Sequence, residues 1–365
     1  MSRLLSTVSA ITFIAGTYAS ADIPKVVADI APIHSLVSRV MDGVGEPKLI
    51  VPNETSPHDY RLRPADAEAI ENANLVFWMG EGLTPWMERA LEALSNDTDI
   101  IEFLALEEST LLSFREGALF EAHDHSDHDD HDKDHDDHDD HDDHDKDHDD
   151  HDDHDDHDKD HDDHDDHDDH DKDHDDHDDH DDHDDHDDHA GHDHGEYDPH
   201  AWLSTNNAKT WLNVIAARLS SIDPDNAGAY FANASEARGE MDALDVEINT
   251  MLDPVRGGKF VVFHDAYQYF ETVYDFPASG AISLGDASDP SAARVAEIAN
   301  RIKSENIACV LSEPQFNAGL VKTVMGGTDA TTEVIDPLGF GIEPGKSLYP
   351  KLIRAMAQSL VNCLK

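Results

Sequence analysis

Short runs of consecutive apolar residues alternate along this chain with segments whose apolar positions recur every three or four residues. The runs at 25–30, 48–51, 75–79 and 99–103 predict buried strands. Between them, 35–41 and 64–74 read as helices, and Thr84-Pro85 opens another with Thr84 as N-cap and Pro85 at its first position. The second half keeps the rhythm, with strands predicted at 259–263, 308–311 and 332–335 and helices at 206–221, 289–305 and 349–364. Strands alternating with helices in this way imply parallel sheets covered on both faces, an α/β class. Ligand sites of such sheets lie just past the carboxyl ends of the strands.

Two segments depart from this rhythm. Between Asp223-Pro224 and Asp253-Pro254 there is no further proline, and Phe231, Ala234, Met241, Leu244, Ile248 and Met251 recur at spacings of three, four or seven. That stripe predicts one long helix over 223–253, roughly 40 Å at 1.5 Å per residue, with a break near Gly239 as the alternative. Residues 123–194 are the other departure. They hold 24 of the 28 histidines and 41 aspartates, with the 13-residue unit HDKDHDDHDDHDD starting at His131, His144, His157 and His170. With no large apolar side chain to bury, this tract is expected to be an extended, disordered loop between two strand–helix units.

The formal net charge of −57 comes mostly from that tract, whose 4 lysines against 41 aspartates leave −37. No basic stripe is present, so binding to a nucleic-acid backbone is excluded and an anionic membrane surface is a poor partner. At the start, Met1-Ser2-Arg3, the apolar run 4–16 and Ala19-Ser20-Ala21 read as a cleaved secretory signal peptide over 1–21. No later stretch is long and apolar enough for a membrane helix. An exported chain meets an oxidising compartment, which permits pairing of Cys309 and Cys363. Two cysteines are too few for a thiolate zinc site unless histidines join them.

Four histidines lie outside the tract. His58 stands in Ser56-Pro57-His58-Asp59-Tyr60, a turn beyond the strand at 48–51. His200 stands in Asp198-Pro199-His200-Ala201-Trp202, and His264 ends the strand at 259–263, followed by Asp265-Ala266-Tyr267. Three neutral imidazoles suit a borderline divalent ion, zinc above all. Asp59, Asp198, Trp202, Asp265 and Tyr267 are neighbours that could orient them. His34 reads as a helix-start residue. No Ser/His/Asp elbow, H-E-x-x-H or Gly-rich phosphate loop marks an enzyme.

Five stretches in order then carry a resemblance: Ser56-Pro-His-Asp-Tyr-Arg-Leu-Arg-Pro-Ala-Asp66, Asp198-Pro-His-Ala-Trp-Leu-Ser204, Phe263-His-Asp-Ala-Tyr267, Leu311-Ser-Glu-Pro-Gln315 and Ile335-Asp-Pro-Leu-Gly339. The chain resembles the periplasmic zinc-binding components of high-affinity zinc ABC importers, within the zinc/manganese solute-binding proteins. A His/Asp-rich loop between the first two motifs is typical of the zinc branch.

The resemblance implies two α/β lobes with parallel sheets, joined by one long rigid helix, with the metal in the cleft between them. It implies His58, His200 and His264 as ligands of transported Zn²⁺, with Asp336 or water in the fourth position. Pro57 precedes His58 and excludes an acidic residue there. Cys309 and Cys363 match the family's disulfide between a late strand and the last helix. The expected organisation is 1–21 signal peptide, 22–122 first lobe, 123–194 loop with weak metal sites from His123 to His194, 195–222 end of the first lobe, 223–253 connecting helix and 254–365 second lobe. The expected partners are an inner-membrane permease and, through it, an ATPase, with the protein itself a periplasmic monomer and not an enzyme. Alternatives are a manganese or iron carrier of the same fold, a metal buffer working through the tract, and a secreted zinc hydrolase.

Overall fold

The computed structural model describes residues 23–95, 98–115, 120, 197–283, 290–315 and 318–365. The expected signal peptide at 1–21 and the tract at 123–194 lie outside them. In the first lobe β1 (Val26–Ala28), α1 (Ala31–Val40), β2 (Lys48–Leu49), α2 (Pro64–Glu71), β3 (Leu75–Trp78), α3 (Pro85–Leu94) and β4 (Asp99–Glu102) follow one another. The four strands are all parallel, in the order β2-β1-β3-β4. Every residue of β1 and β3 is buried, which is why both read as unbroken apolar runs. Proline sits in the first turn of α1, α2 and α3, where its missing N–H costs nothing. The hydroxyl of Thr84 does not cap α3; it accepts from Trp78 Nε1–H at 2.5 Å.

Beyond the tract, Ser204 caps α4 (Thr205–Ile222), its Oγ accepting from the N–H of Asn207 at 3.2 Å. A 3-10 turn at Pro224–Asn226 leads into α5 (Ala227–Leu252), 26 residues without a break at Gly239 and so about 39 Å long. Asp223 makes no cap; its Oδ2 accepts from Tyr230 Oη at 2.7 Å and from Asn226 Nδ2 at 2.8 Å. The buried stripe is Tyr230, Ala234, Ala237, Met241, Leu244, Ile248 and Leu252, while Phe231, expected on it, is 51% exposed. Tyr230 takes the inward place one position earlier because its hydroxyl has Asp223 to bond.

The second lobe contains β5 (Phe260–His264), α6 (Gln268–Tyr274), β6 (Ala281–Ser283), α7 (Ala292–Ser304), β7 (Cys309–Ser312), α8 (Ala318–Val324), β8 (Thr331–Val334) and α9 (Leu348–Leu364). Its strands are again parallel, ordered β6-β5-β7-β8, which repeats the first lobe. Alternation along β5 divides the interior. Phe260 and Val262 join a large core with α5 and α9, whereas Val261 and Phe263 join a second cluster with Ile298 and Ile302 of α7 and Val321 and Val324 of α8. That large core is continuous from Val26 to Cys363 through both lobes. Tyr349 of α9 ties them further, its N–H donating to Ser35 Oγ at 2.9 Å and its hydroxyl to Trp202 O at 2.8 Å. A disulfide joins Cys309 of β7 to Cys363 of α9.

In both sheets the chain reverses its direction of winding between the two central strands. The crevice of such a sheet opens outside the carboxyl ends of those strands. In the second lobe these ends are His264, the last residue of β5, and Glu313, the first residue after β7.

Candidate metal centre

His200 is fixed by the carboxylate two residues before it. Asp198 Oδ1 accepts from the His200 N–H at 2.9 Å and stands 2.7 Å from His200 Nδ1. Tyr269 of α6 donates to Asp198 O at 2.7 Å, which braces this turn from the second lobe. His264 is fixed by a residue far along the chain: Glu313 Oε1 stands 2.6 Å from its Nδ1, and the two side chains are 3% and 1% exposed. An ionised carboxylate accepts from the ring N–H beside it, an arrangement that in a neutral imidazole turns Nε2 toward the role of metal ligand. The two Nε2 atoms face each other at 3.4 Å. Nitrogens bound to one tetrahedral ion at about 2.0–2.1 Å stand about 3.3–3.4 Å apart.

His58 comes from the loop between β2 and α2, and both ends of that loop are held. Asn53 Nδ2 donates to Gly339 O at 2.5 Å and Ile342 O at 2.8 Å. Trp86 Nε1–H donates to Pro57 O at 2.8 Å, and Tyr60 Oη donates to Asp66 Oδ2 at 2.6 Å. The His58 ring is 6.1 Å from that of His200, centroid to centroid, and borders the same cavity as His200 and His264, with Glu313 and Gln315 beside them. The space between is about 20 Å³, room for one ion or one water and not for an organic ligand. Among the described residues no set of three or more metal-binding side chains is closed to ligand geometry. His200 and His264 are brought together, and His58 stands one step back.

Asp336, just beyond β8, does not line this cavity. Its Oδ1 accepts from the Leu338 N–H at 3.0 Å and from Gln315 Nε2 at 3.4 Å, and burial pushes its carboxyl above the usual range against these bonds. His34 lies within α1, its Nε2 3.1 Å from Pro47 O, and plays no part in the cavity. The profile of the periplasmic zinc-uptake complex component A family, ZnuA, matches residues 26–363. The chain belongs to this family.

Among ZnuA relatives, the high-affinity zinc uptake system protein ZnuA of Brucella abortus (strain 2308) is 42% identical over 367 residues, covering 100% of this chain and 99% of its own. The protein of the same name from Paracoccus denitrificans (strain Pd 1222) is 42% identical over 347 residues, with 95% and 93% covered. A crystal structure of ZnuA superposes with a TM-score of 0.64 at 20% identity, covering 94% of this chain and 100% of that one. A zinc-bound ZnuA lacking its residues 138–173 superposes equally well, covering 94% and 99%. These likenesses carry the two-lobed α/β fold. No helix among the described residues is long and apolar enough to cross a membrane.

Within this ZnuA fold, sequence reasoning singled out Asp198 correctly but missed Glu313 as the partner of His264. Glu313 lies in one of the quoted motifs, yet 49 residues separate it from His264, and nothing local connects them. Asp265, adjacent to His264 and expected to orient it, turns away to Arg115. Asp59 is exposed. Trp202 does pack on His200, rings 5.2 Å apart, and its Nε1–H donates across the cleft to Pro337 O at 2.8 Å.

Proposed function

We propose that the protein captures Zn²⁺ in the periplasm and delivers it to the inner-membrane permease, and through it the ATPase, of a zinc ABC importer. The observation that carries this reading is the facing pair of His200 and His264 Nε2 atoms, 3.4 Å apart, each with its Nδ1 held by a buried carboxylate. The spacing, the neutral donors and the single-ion cavity fit zinc as cargo. His58 moves inward to become the third imidazole. The fourth position goes to water or to Asp336, released from Gln315 and the Leu338 N–H. Residues 22–122 with 195–222 form the lobe that supplies His58 and His200, 223–253 the connecting helix, and 254–365 the lobe that supplies His264. Residues 1–21 direct export and are removed, and the protein works as a monomer that binds and releases without catalysis.

The histidines from His123 to His194 collect zinc at weaker sites, since each site there must order its own stretch of chain. The test is calorimetric zinc titration of the wild type, of H58A, H200A and H264A, and of a protein lacking 123–194. Each single substitution is expected to weaken the tight site, and the deletion to keep it while losing the additional weak sites. An unchanged tight site in all three histidine variants would sink the assignment. Equal stoichiometry with and without the tract would show that the tract collects nothing.

A further inference from the structure

Asp265 follows His264 directly, and Arg115 occupies both its oxygens. Arg115 Nε is 3.0 Å from Oδ1 and 3.0 Å from Oδ2, and Nη2 also donates to Oδ1. The same guanidinium donates to Glu271 Oε2 at 2.8 Å and Oε1 at 3.1 Å, and the ring of Phe120 covers it with 3.5 Å between Cζ and centroid. The side chains of Arg115, Asp265 and Glu271 are 18%, 7% and 6% exposed. Arg115 belongs to the segment after β4, where Ser113 bridges Tyr197, and Tyr197 is followed by the Asp198 that holds His200. Burial raises the Asp265 carboxyl and Arg115 opposes that rise, with smaller electrostatic effects from Asp198 and His200. One guanidinium thus clamps the acidic neighbour of one imidazole to a segment that flanks the other.

We propose that Arg115 is a specificity-determining positioning residue: by engaging both oxygens of Asp265 it withholds a hard oxygen donor from the ion held at His200 and His264. The proposal rests on the metal-binding reading above. Imidazole nitrogen suits zinc, whereas carboxylate oxygen suits manganese and magnesium. A buried carboxylate deprived of its guanidinium has no compensating charge, and the arriving cation supplies one. Arginine fits this role because its planar fork holds two carboxylates at once, which a lysine ammonium cannot do.

The test measures zinc and manganese dissociation constants by chelator competition, and the visible absorption of the Co²⁺ form, for the full chain. R115M/E271Q leaves the Asp265 carboxylate loose while removing the other uncompensated charge. Its zinc-over-manganese affinity ratio is expected to fall at least tenfold, with a changed Co²⁺ spectrum, and adding D265N is expected to restore both. A ratio that stays at the wild-type value in R115M/E271Q, or that shifts equally with and without D265N, overturns the proposal, the latter because it marks a packing role. Where R115M/E271Q does not fold, R115Q/E271Q and R115Q/E271Q/D265N replace the pair, and equal ratios again overturn it. Wild-type protein without a tight zinc site overturns the metal-binding reading itself, whereas tight zinc binding with an invariant ratio overturns only the role of Arg115.

Discussion

Replacing Glu313 by Gln changes one buried atom pair at the centre of the cavity and leaves side-chain size almost the same. The Glu313 side chain is 1% exposed and sits 2.6 Å from His264 Nδ1, so its bond to the ring is short, desolvated and charge-assisted. Such a bond contributes about 1.5–3 kcal/mol, against about 1 kcal/mol for a neutral one. The difference, about 0.5–2 kcal/mol, is about a 2- to 30-fold loss in zinc affinity at 1.4 kcal/mol per factor of ten. Gln can also turn its NH₂ toward Nδ1, which moves the ring proton to Nε2 and blocks ligation, so the loss lies toward the upper end. Partners of this kind typically account for 10- to 100-fold in metal affinity. The assay is chelator competition at neutral pH, with a thermal melt of the metal-free variant to show that its fold is intact. A folded E313Q protein that binds zinc with the wild-type dissociation constant would refute the claim that this carboxylate sets the tautomer of His264.

Three further outcomes follow from other parts of the molecule. The Cys309–Cys363 bond closes a 54-residue separation, worth about 4 kcal/mol in the unfolded chain by loop entropy, so C309A/C363A is expected to lose about 2–4 kcal/mol in guanidinium unfolding yet still fold. Nothing lies within 4 Å of a Cβ added at Gly239 in mid-α5, so G239A is expected to raise stability by about 0.5–1 kcal/mol, measured the same way; a loss would contradict the open space seen there. Asp29, buried between the ends of β1 and β3, accepts from the Ile30 and Met79 N–H groups, and burial pushes its carboxyl up to about 7. The folded protein then keeps a proton that the unfolded chain releases near pH 4, so this group's contribution to stability falls as pH rises from about 4 to about 7. The gap is up to about 4 kcal/mol. Stability measured across that window is expected to shift in favour of D29N relative to wild type as pH increases, and parallel curves would show that Asp29 is already ionised.

Elements whose side chains face apolar surroundings on every side could be read from the residues alone. Val26–Ala28, Leu75–Trp78 and Phe260–His264 are such strands, and α5 announced itself by its stripe. Three elements gave no usable signal: α6 and α8 have seven residues each, too few for a period to show, and β6 carries one large apolar side chain, Ile282, between Ala281 and Ser283. The histidines were legible because each lies at or just after a strand end, or in a short motif. Their carboxylate partners split by distance along the chain. Asp198, two residues from His200, could be named, but Glu313 is 49 residues from His264. Arg115 claims Asp265 from 150 residues away, and that competition for one carboxylate is visible only once the chain is folded.

The continuous core also sets an order of events during synthesis. Ser35 and its neighbours in α1, among the first residues to emerge, are completed by Tyr349 and the inward face of α9, the last helix of the chain. The large core that runs through both lobes therefore stays incomplete until the seventeen-residue helix α9 is available, whereas the cluster of Val261, Phe263, Ile298 and Val324 needs no part of it. A chain made from its N-terminus keeps that large core open until α9 has emerged.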